Sequence, residues 1–212
     1  MLRRRSAPAR QARLRTWLRA FRPAAGERGQ TMVEMAIVLP IITMVSLGVV
    51  EVSYAILHQH VISRITREGA NLISRDVSLL DATSAIKSMS TPPVDFTDGS
   101  QLVLSVLKKG SVVGTANYDK VVLYQRYAIG TLGTPSTLTT AGAGSFGGAP
   151  DFKAANSDTD TSLRIINLPA NVDVTLGGLL YVAEVFTNHA PLTPLNKFGV
   201  TVPPTLRSIA YF

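Results

Sequence analysis

In the first segment of the chain, apolar residues are too scattered to form a core stripe. The segment that follows is apolar throughout. Arginines are spread through residues 1–29, whereas residues 35–50 form a run without a charged side chain between Glu34 and Glu51. Such a contrast is typical of a leader with no core of its own, followed by an apolar helix. The pattern therefore predicts a boundary near Gly29.

The apolar run approaches the length of a transmembrane helix. Its 16 residues rise about 24 Å as an α-helix, less than the roughly 30 Å of a bilayer's hydrocarbon core. Extension through residues 52–57, with Glu51 carried near an interface, supplies the missing length. Pro40 lies in the first turns of the segment, where a transmembrane helix tolerates a kink. Two alternatives stay open: a signal peptide cleaved near residues 53–55, and a buried core helix of a soluble protein.

Beyond the apolar run, the spacing of apolar residues stays helical. Apolar residues recur at steps of three and four between Leu57 and Ile86, with charged residues largely between them. The helix is expected to continue to about Ser90, where two prolines stop it, with a possible bend at Gly69 or Asp81. Residues 30–90 are thus predicted to be a transmembrane and extended amphipathic helix.

The remaining residues, 91–212, change to short strand-like runs separated by Gly, Pro, Asn and Asp. The runs are rich in Val, Ile, Leu and Tyr and comprise residues 102–107, 121–129, 163–168, 172–176, 179–186 and 206–212. They predict a small antiparallel sheet with the helix stripe over its apolar face, an α+β fold. Residues 131–162 are dominated by Gly, Thr and Ser, and are predicted to form a long flexible or binding loop.

The charge of the chain belongs to its first segment. The net charge is +7 with a sequence pI near 10.0, which at first suggests nucleic acid or an anionic membrane as a partner. Residues 1–29, however, hold nine arginines and one acid, which leaves 12 basic and 13 acidic residues elsewhere. The body of the chain is therefore nearly neutral, and nucleic-acid binding is not expected. The absence of cysteine excludes disulfides, cysteine-bound metals and thiol catalysis.

No catalytic or cofactor-binding constellation emerges from the sequence. Residues 142–147 fit a dinucleotide fingerprint, but glycine and proline follow where a helix should begin. Residues 156–160 resemble the start of a calcium loop that lacks the required glycine and glutamate. His58 and His60 are two residues apart and therefore face different sides of a helix. His189 is expected to be a surface or capping residue. We expect no metal, no cofactor and no enzymatic activity.

The junction between leader and apolar run carries the most specific pattern. The stretch Gly-Gln-Thr-Met-Val-Glu-Met-Ala-Ile-Val-Leu-Pro covers residues 29–40, with the glutamate in the fifth place after the glycine. Gly48 and Glu51 follow at the end of the run. This junction is similar to that of a type IV prepilin, and over about residues 27–60 it resembles the TadE-like family of Flp pilus assembly pseudopilins.

The resemblance implies roles for individual residues. A prepilin peptidase would cut between Gly29 and Gln30, and glycine leaves that bond without a side chain. Glu34 would pair with the new α-ammonium group of Gln30, in the same chain or a neighbouring subunit, and would set subunit register during assembly. Met35, Pro40, Gly48 and Glu51 would belong to the membrane segment. Met35 stands where an aromatic residue is common, and cyclisation of Gln30 would remove the ammonium group.

These observations favour a pseudopilin or minor pilin of a Flp/Tad-type pilus, in the setting of adhesion and secretion. The resemblance implies as partners the prepilin peptidase, other pilins and the assembly machinery, and the lipid of the bacterial inner membrane. Counting arginines places the N-terminus in the cytoplasm and the C-terminal domain in the periplasm. The alternative is an uncleaved single-pass adaptor whose outer domain binds an envelope protein or a cell-wall polymer. An anchored hydrolase has no identifiable catalytic residues.

Overall fold

The computed structural model describes residues 25–194, 197, 199 and 203–212. The basic leader predicted for residues 1–29 lies mostly outside the described residues. Contacts divide the chain into two units, Met1–Val49 and Val50–Phe212. The first contributes the apolar part of the first helix, and the second contains the remainder of that helix and the C-terminal domain.

Two helices occupy the region where the sequence predicts one. Helix α1 spans Ala25–Ser74 and contains Pro40. Helix α2 spans Leu79–Met89, and the Oγ of Ser78 caps it by accepting a hydrogen bond from the Asp81 amide. The chain turns between them at Asp76, which has a positive φ of 60°. The break thus lies at Asp76, not at Gly69 or Asp81, because the chain there adopts a left-handed conformation that ends a helix.

A four-stranded antiparallel sheet follows the helices, in the order β2-β1-β3-β4. Its strands are β1 (Ser100–Lys109), β2 (Val121–Gly130), β3 (Leu179–Asn188) and β4 (Thr205–Tyr211). These strands match four of the six predicted runs to within two residues at every end. The α+β class, with an apolar N-terminal helix followed by a small antiparallel sheet, is confirmed.

The main core lies between the helices and one face of the sheet. Alternate residues of β1 and β3 point to this face, where Leu104 is paired with Ala183 and Leu102 with Val185. The helices contribute fully buried apolar side chains from α1 and α2, among them Ile62, Ile73, Leu79 and Ile86. The predicted amphipathic stripe is therefore the domain's own core contact.

The opposite face of the sheet is covered by the long segment between β2 and β3. A second cluster contains Leu107 and Leu180 from the strands together with Leu138 and Val174 from that segment. Residues 163–168 and 172–176 are not strands, contrary to the sequence prediction. Arg164 and Ile165 form only isolated bridges, to Val122 and Thr140. Pro169 comes directly after the first of these two runs, and a proline has no amide hydrogen to donate to a neighbouring strand.

A buried carboxylate fastens this segment to the sheet. Glu184 of β3 is fully buried and accepts hydrogen bonds from the Ser136 hydroxyl, the Thr137 hydroxyl and, at 2.8 Å, the Thr137 amide. Arg126 of β2 donates at 3.0 Å to the Leu138 carbonyl. Burial lowers the pKa of Arg126, while the charge of Glu184 acts to raise it. Residues 136–138, in the stretch predicted to be a flexible loop, thus have fixed polar partners.

Candidate functional site

Gly29, the residue before the predicted cleavage, lies inside α1. The helix begins four residues earlier, at Ala25, and a Cβ atom added at Gly29 would meet nothing within 4 Å. The same is true of Gly48. A protease that needs an extended backbone at Gly29 must therefore unwind the helix around this residue.

Glu34 is exposed on α1 and has a partner within its own helix. The Gln30 side-chain amide donates a hydrogen bond of 3.0 Å to the Glu34 carboxylate, in the i, i+4 relation that brings side chains together on a helix face. In this uncut chain the two residues named for the junction are thus already side by side.

The apolar part of α1 is exposed along its length. In the part of the chain that the structure describes, one helix, over Gly29–Ser74, is long and apolar enough to cross a membrane, and no part of its most apolar window is buried within the protein. Met35 lies in this region with an exposed side chain. Exposure of so many large apolar residues requires another apolar environment, because a core helix of a soluble protein would be buried.

Glu51, at the end of the apolar run, is held by the segment that follows β3. Its side chain is 2% exposed. The amides of Leu192 and Thr193 donate to the carboxylate at 2.8 to 3.1 Å, and the Thr193 hydroxyl donates at 2.8 Å. The structure thus places Glu51 in a pocket of donors, as the burial of a charge demands.

Two histidines extend this cluster. The Nε2 atom of His189 lies 3.7 Å from a Glu51 carboxylate oxygen, and the Nδ1 atoms of His189 and His58 are 3.3 Å apart. Tyr54 packs on the His58 ring with a centroid distance of 3.9 Å. His189 Nε2 is buried without a hydrogen-bond partner and faces the carboxylate, and the tautomers of the two rings decide which Nδ1 donates in the contact between them.

The burial of His189 corrects a sequence expectation. His189 is 3% exposed and is therefore not a surface residue, and its ring nitrogens face His58 and Glu51. His58 faces it across the cluster, whereas His60 is exposed on the other side of α1, as their spacing predicts. The sequence signalled only that Glu51 is a carboxylate in apolar surroundings. Its partners lie 141 and 142 residues away, where no local pattern could identify them.

The two weak motifs of the long segment have structural roles. A Cβ atom at Gly142 or Gly144 would come within 2.8 Å of Ser162 or within 2.3 Å of Leu163, so these glycines allow close packing. Asp158 pairs with Lys108 at 3.2 Å. Asp160 accepts two hydrogen bonds from Ser162, which lower the pKa of its carboxyl group. Within the described ranges, no three His, Asp or Glu residues are grouped so as to hold a metal ion.

Comparison with known proteins adds one match. No curated protein and no solved structure matches this chain. A family model described as TadE-like protein matches residues 29–71. The matched segment begins at the predicted cleavage glycine and includes Glu34, the apolar run and Glu51. Over this N-terminal segment the chain is similar to the TadE-like family.

Proposed function

We propose that this chain is a pseudopilin or minor pilin of a Flp/Tad-type pilus, processed by a prepilin peptidase between Gly29 and Gln30. After processing, α1 anchors the chain in the bacterial inner membrane, and the sheet domain lies in the periplasm. The mature chain then joins other pilins through the assembly machinery. The protein has a structural role and catalyses no reaction.

The single observation that carries this proposal is the TadE-like segment over residues 29–71. This family is associated with Tad pili, and its members are typically structural proteins. The geometry of α1 supports the assignment, since an exposed apolar helix needs a lipid or protein environment. Glu34 supports it further, because a carboxylate within a membrane helix is costly and such residues usually serve a function.

Charge supports the proposed orientation. The arginines of residues 1–29 give this leader a net charge of +8, and basic segments beside a membrane helix favour the cytoplasm. Anionic headgroups of the inner leaflet attract such a segment until it is cut. Residues 30–212 hold 12 basic and 13 acidic side chains, so the proposed mature protein carries almost no net charge.

Intact-mass measurement of the chain from producing cells tests the processing step. We expect the mass of residues 30–212, and we expect Gly29→Val to leave the full-length mass because a branched side chain obstructs the peptidase at the bond. Gly48→Val is the matched control, since that glycine also lies in α1 with open space around it. A full-length mass for the unaltered chain in cells with active peptidase would refute the processing.

The same measurement separates this function from the alternative one. An uncleaved single-pass adaptor would keep its arginines and bind an envelope protein or a cell-wall polymer through the sheet domain. Such a chain would show the full-length mass whichever residue occupies position 29. It would also be absent from sheared pili, whereas a pilin or pilus-associated pseudopilin is expected to copurify with them.

A further inference from the structure

We propose that the segment after β3, residues 190–194, is a membrane-contact surface that rests in the outer interfacial layer of the same bilayer crossed by α1. This surface is called the Leu192 loop below. The inference rests on the proposed anchoring of α1 and goes beyond it, because it assigns a bilayer contact to the folded C-terminal domain. Its occupant is lipid, at the boundary between headgroups and acyl chains.

The position of the loop along α1 carries the argument. The Leu192 and Thr193 amides are fixed to Glu51 by hydrogen bonds. On the exposed side of α1, large apolar side chains continue beyond Glu51, at Val52, Ile56 and Leu57, each more than half exposed. Leu57 is six residues, or about 9 Å of helix, beyond Glu51. The Leu192 loop therefore lies beside a part of α1 that is still apolar enough for lipid.

The loop presents an apolar side chain in that position. Leu192 is 59% exposed, although both of its neighbours in the cluster, Glu51 and Thr193, are buried. The exposed side of α1 becomes polar from His60 onward, with Arg64 and Arg67 following. Leu192 lies at the level of Glu51, before this polar band begins along α1. An apolar side chain at that level fits the membrane–water interface, which accommodates both apolar and polar groups.

The hydrogen bonds to Glu51 also fit a position at the membrane interface. A charged side chain within or beside hydrocarbon is expensive, and it is tolerated where protein donors replace water. Glu51 receives its hydrogen bonds from two amides and a hydroxyl, and His189 lies beside it. On the side of α1 that faces the folded domain, hydrogen-bond donors thus satisfy the Glu51 carboxylate. At the same level, the exposed side of α1 is still apolar.

The far end of the sheet supplies an internal control. Strand β3 leads toward His189 at one end, where β1 begins, and Val113 lies in the connection between β1 and β2 at the other end. Val113 is 79% exposed, so it is at least as accessible as Leu192. The proposal places Leu192 in the bilayer interface and leaves Val113 in water.

Tryptophan fluorescence in proteoliposomes tests the contact. Trp17 is the only tryptophan in the chain, and Trp17→Phe gives a dark background for Leu192→Trp, Val113→Trp and Val45→Trp in the full chain. Lipids carry a nitroxide either near the headgroup or deep in the acyl chain. We expect Leu192→Trp to emit at shorter wavelength than Val113→Trp and to lose more emission to the shallow label than to the deep one.

Val45→Trp tests the membrane anchor of α1 separately from the contact made by the Leu192 loop. Quenching of Val45→Trp together with water-like, unquenched emission from Leu192→Trp would overturn the loop contact and retain the anchor. Lack of quenching in Val45→Trp would refute the anchor itself. Blue-shifted emission from Leu192→Trp that neither lipid label quenches would mean that protein, such as a second copy, covers the loop, and would also overturn the proposal.

Discussion

Glu34 shows how one side chain can be well placed for a role that the isolated chain does not need. Its carboxylate is exposed and accepts a hydrogen bond from Gln30, so it stabilises no core. An i, i+4 pair of this kind contributes only about 0.2–0.5 kcal/mol to a helix. So small a gain within the helix leaves room for the proposed pairing of Glu34 with the α-ammonium group of Gln30.

Glu34→Gln tests this role with almost no change in side-chain size. We expect normal membrane insertion and the same mature mass, but loss of the chain from the pilus fraction, because a neutral amide lacks the negative charge that attracts the α-ammonium group of Gln30. Fractionation, intact mass and immunoblotting of sheared pili are the measurements. Glu68→Gln, an exposed change farther along α1, is the control. Wild-type amounts of the Glu34→Gln chain in pili would remove the proposed role.

A second residue-scale prediction concerns acid. The pKa of Asp160 is lowered from its ordinary value of 3.8, first by the Ser162 hydroxyl and then by the Ser162 amide. A carboxyl group with a lowered pKa stabilises the fold above its unfolded pKa, and this stabilisation is lost as the pH falls through the folded value. We therefore expect the domain to lose part of its stability below pH 3.8.

Ser162→Ala isolates this contribution. Removal of the hydroxyl lets the Asp160 pKa rise toward its ordinary value, so the loss of stability on acidification should be smaller than in the unaltered chain. Urea unfolding of the full chain in detergent, followed from about pH 6 to pH 3, measures it. Ser84→Ala is the control, since that hydroxyl donates to a carbonyl, at Leu80. An unchanged pH dependence in Ser162→Ala would contradict the prediction.

At the scale of elements, the packing of α1 on the sheet depends on one close approach. A Cβ atom at Gly69 would lie 3.0 Å from the Ile86 side chain and 3.3 Å from the Ala183 side chain. The glycine therefore lets α1, α2 and β3 meet in the main core. The sequence suggested a bend at Gly69, whereas the helix continues through it and the residue's importance lies in packing.

Gly69→Val is expected to destabilise the domain by about 1–3 kcal/mol, because extra methyl groups in a packed core force neighbouring atoms apart. Thermal unfolding of the full chain in detergent, followed by circular dichroism, measures the effect. Gly48→Val makes the same substitution in the same helix at a position with nothing within 4 Å, and therefore accounts for the change in helix propensity. Equal melting temperatures for the two variants would contradict the packing argument.

The elements differ in how far the sequence determined them. All four strands follow from local runs rich in Val, Ile, Leu and Tyr, and the stripe on α1 follows from its spacing. The segment between β2 and β3 does not, because its order depends on distant partners such as Glu184, 47 residues from Thr137. The Glu51 cluster is hidden for the same reason. Composition predicts local conformation well and long-range polar contacts poorly.

At the scale of the whole molecule, the proposed topology places the leader and the sheet domain on opposite sides of the membrane. Because the chain has no cysteine, labelling of single introduced thiols can test this topology. Ser84 is exposed on α2, in the part of the chain assigned to the periplasm. Ser6 belongs by sequence to the basic leader assigned to the cytoplasm. Single substitutions Ser84→Cys and Ser6→Cys each place one thiol on one proposed side, with no native thiol to confuse the readout.

We expect a membrane-impermeant maleimide to label Ser84→Cys in spheroplasts and to label Ser6→Cys only after the membrane is permeabilised, because the +8 leader stays with the cytoplasmic leaflet. When the peptidase is active, the Ser6→Cys label should be found on the released leader and not on the mature chain. The reverse labelling pattern would contradict the orientation. A labelled Ser6→Cys on every membrane-bound chain would instead contradict processing and favour the uncleaved adaptor.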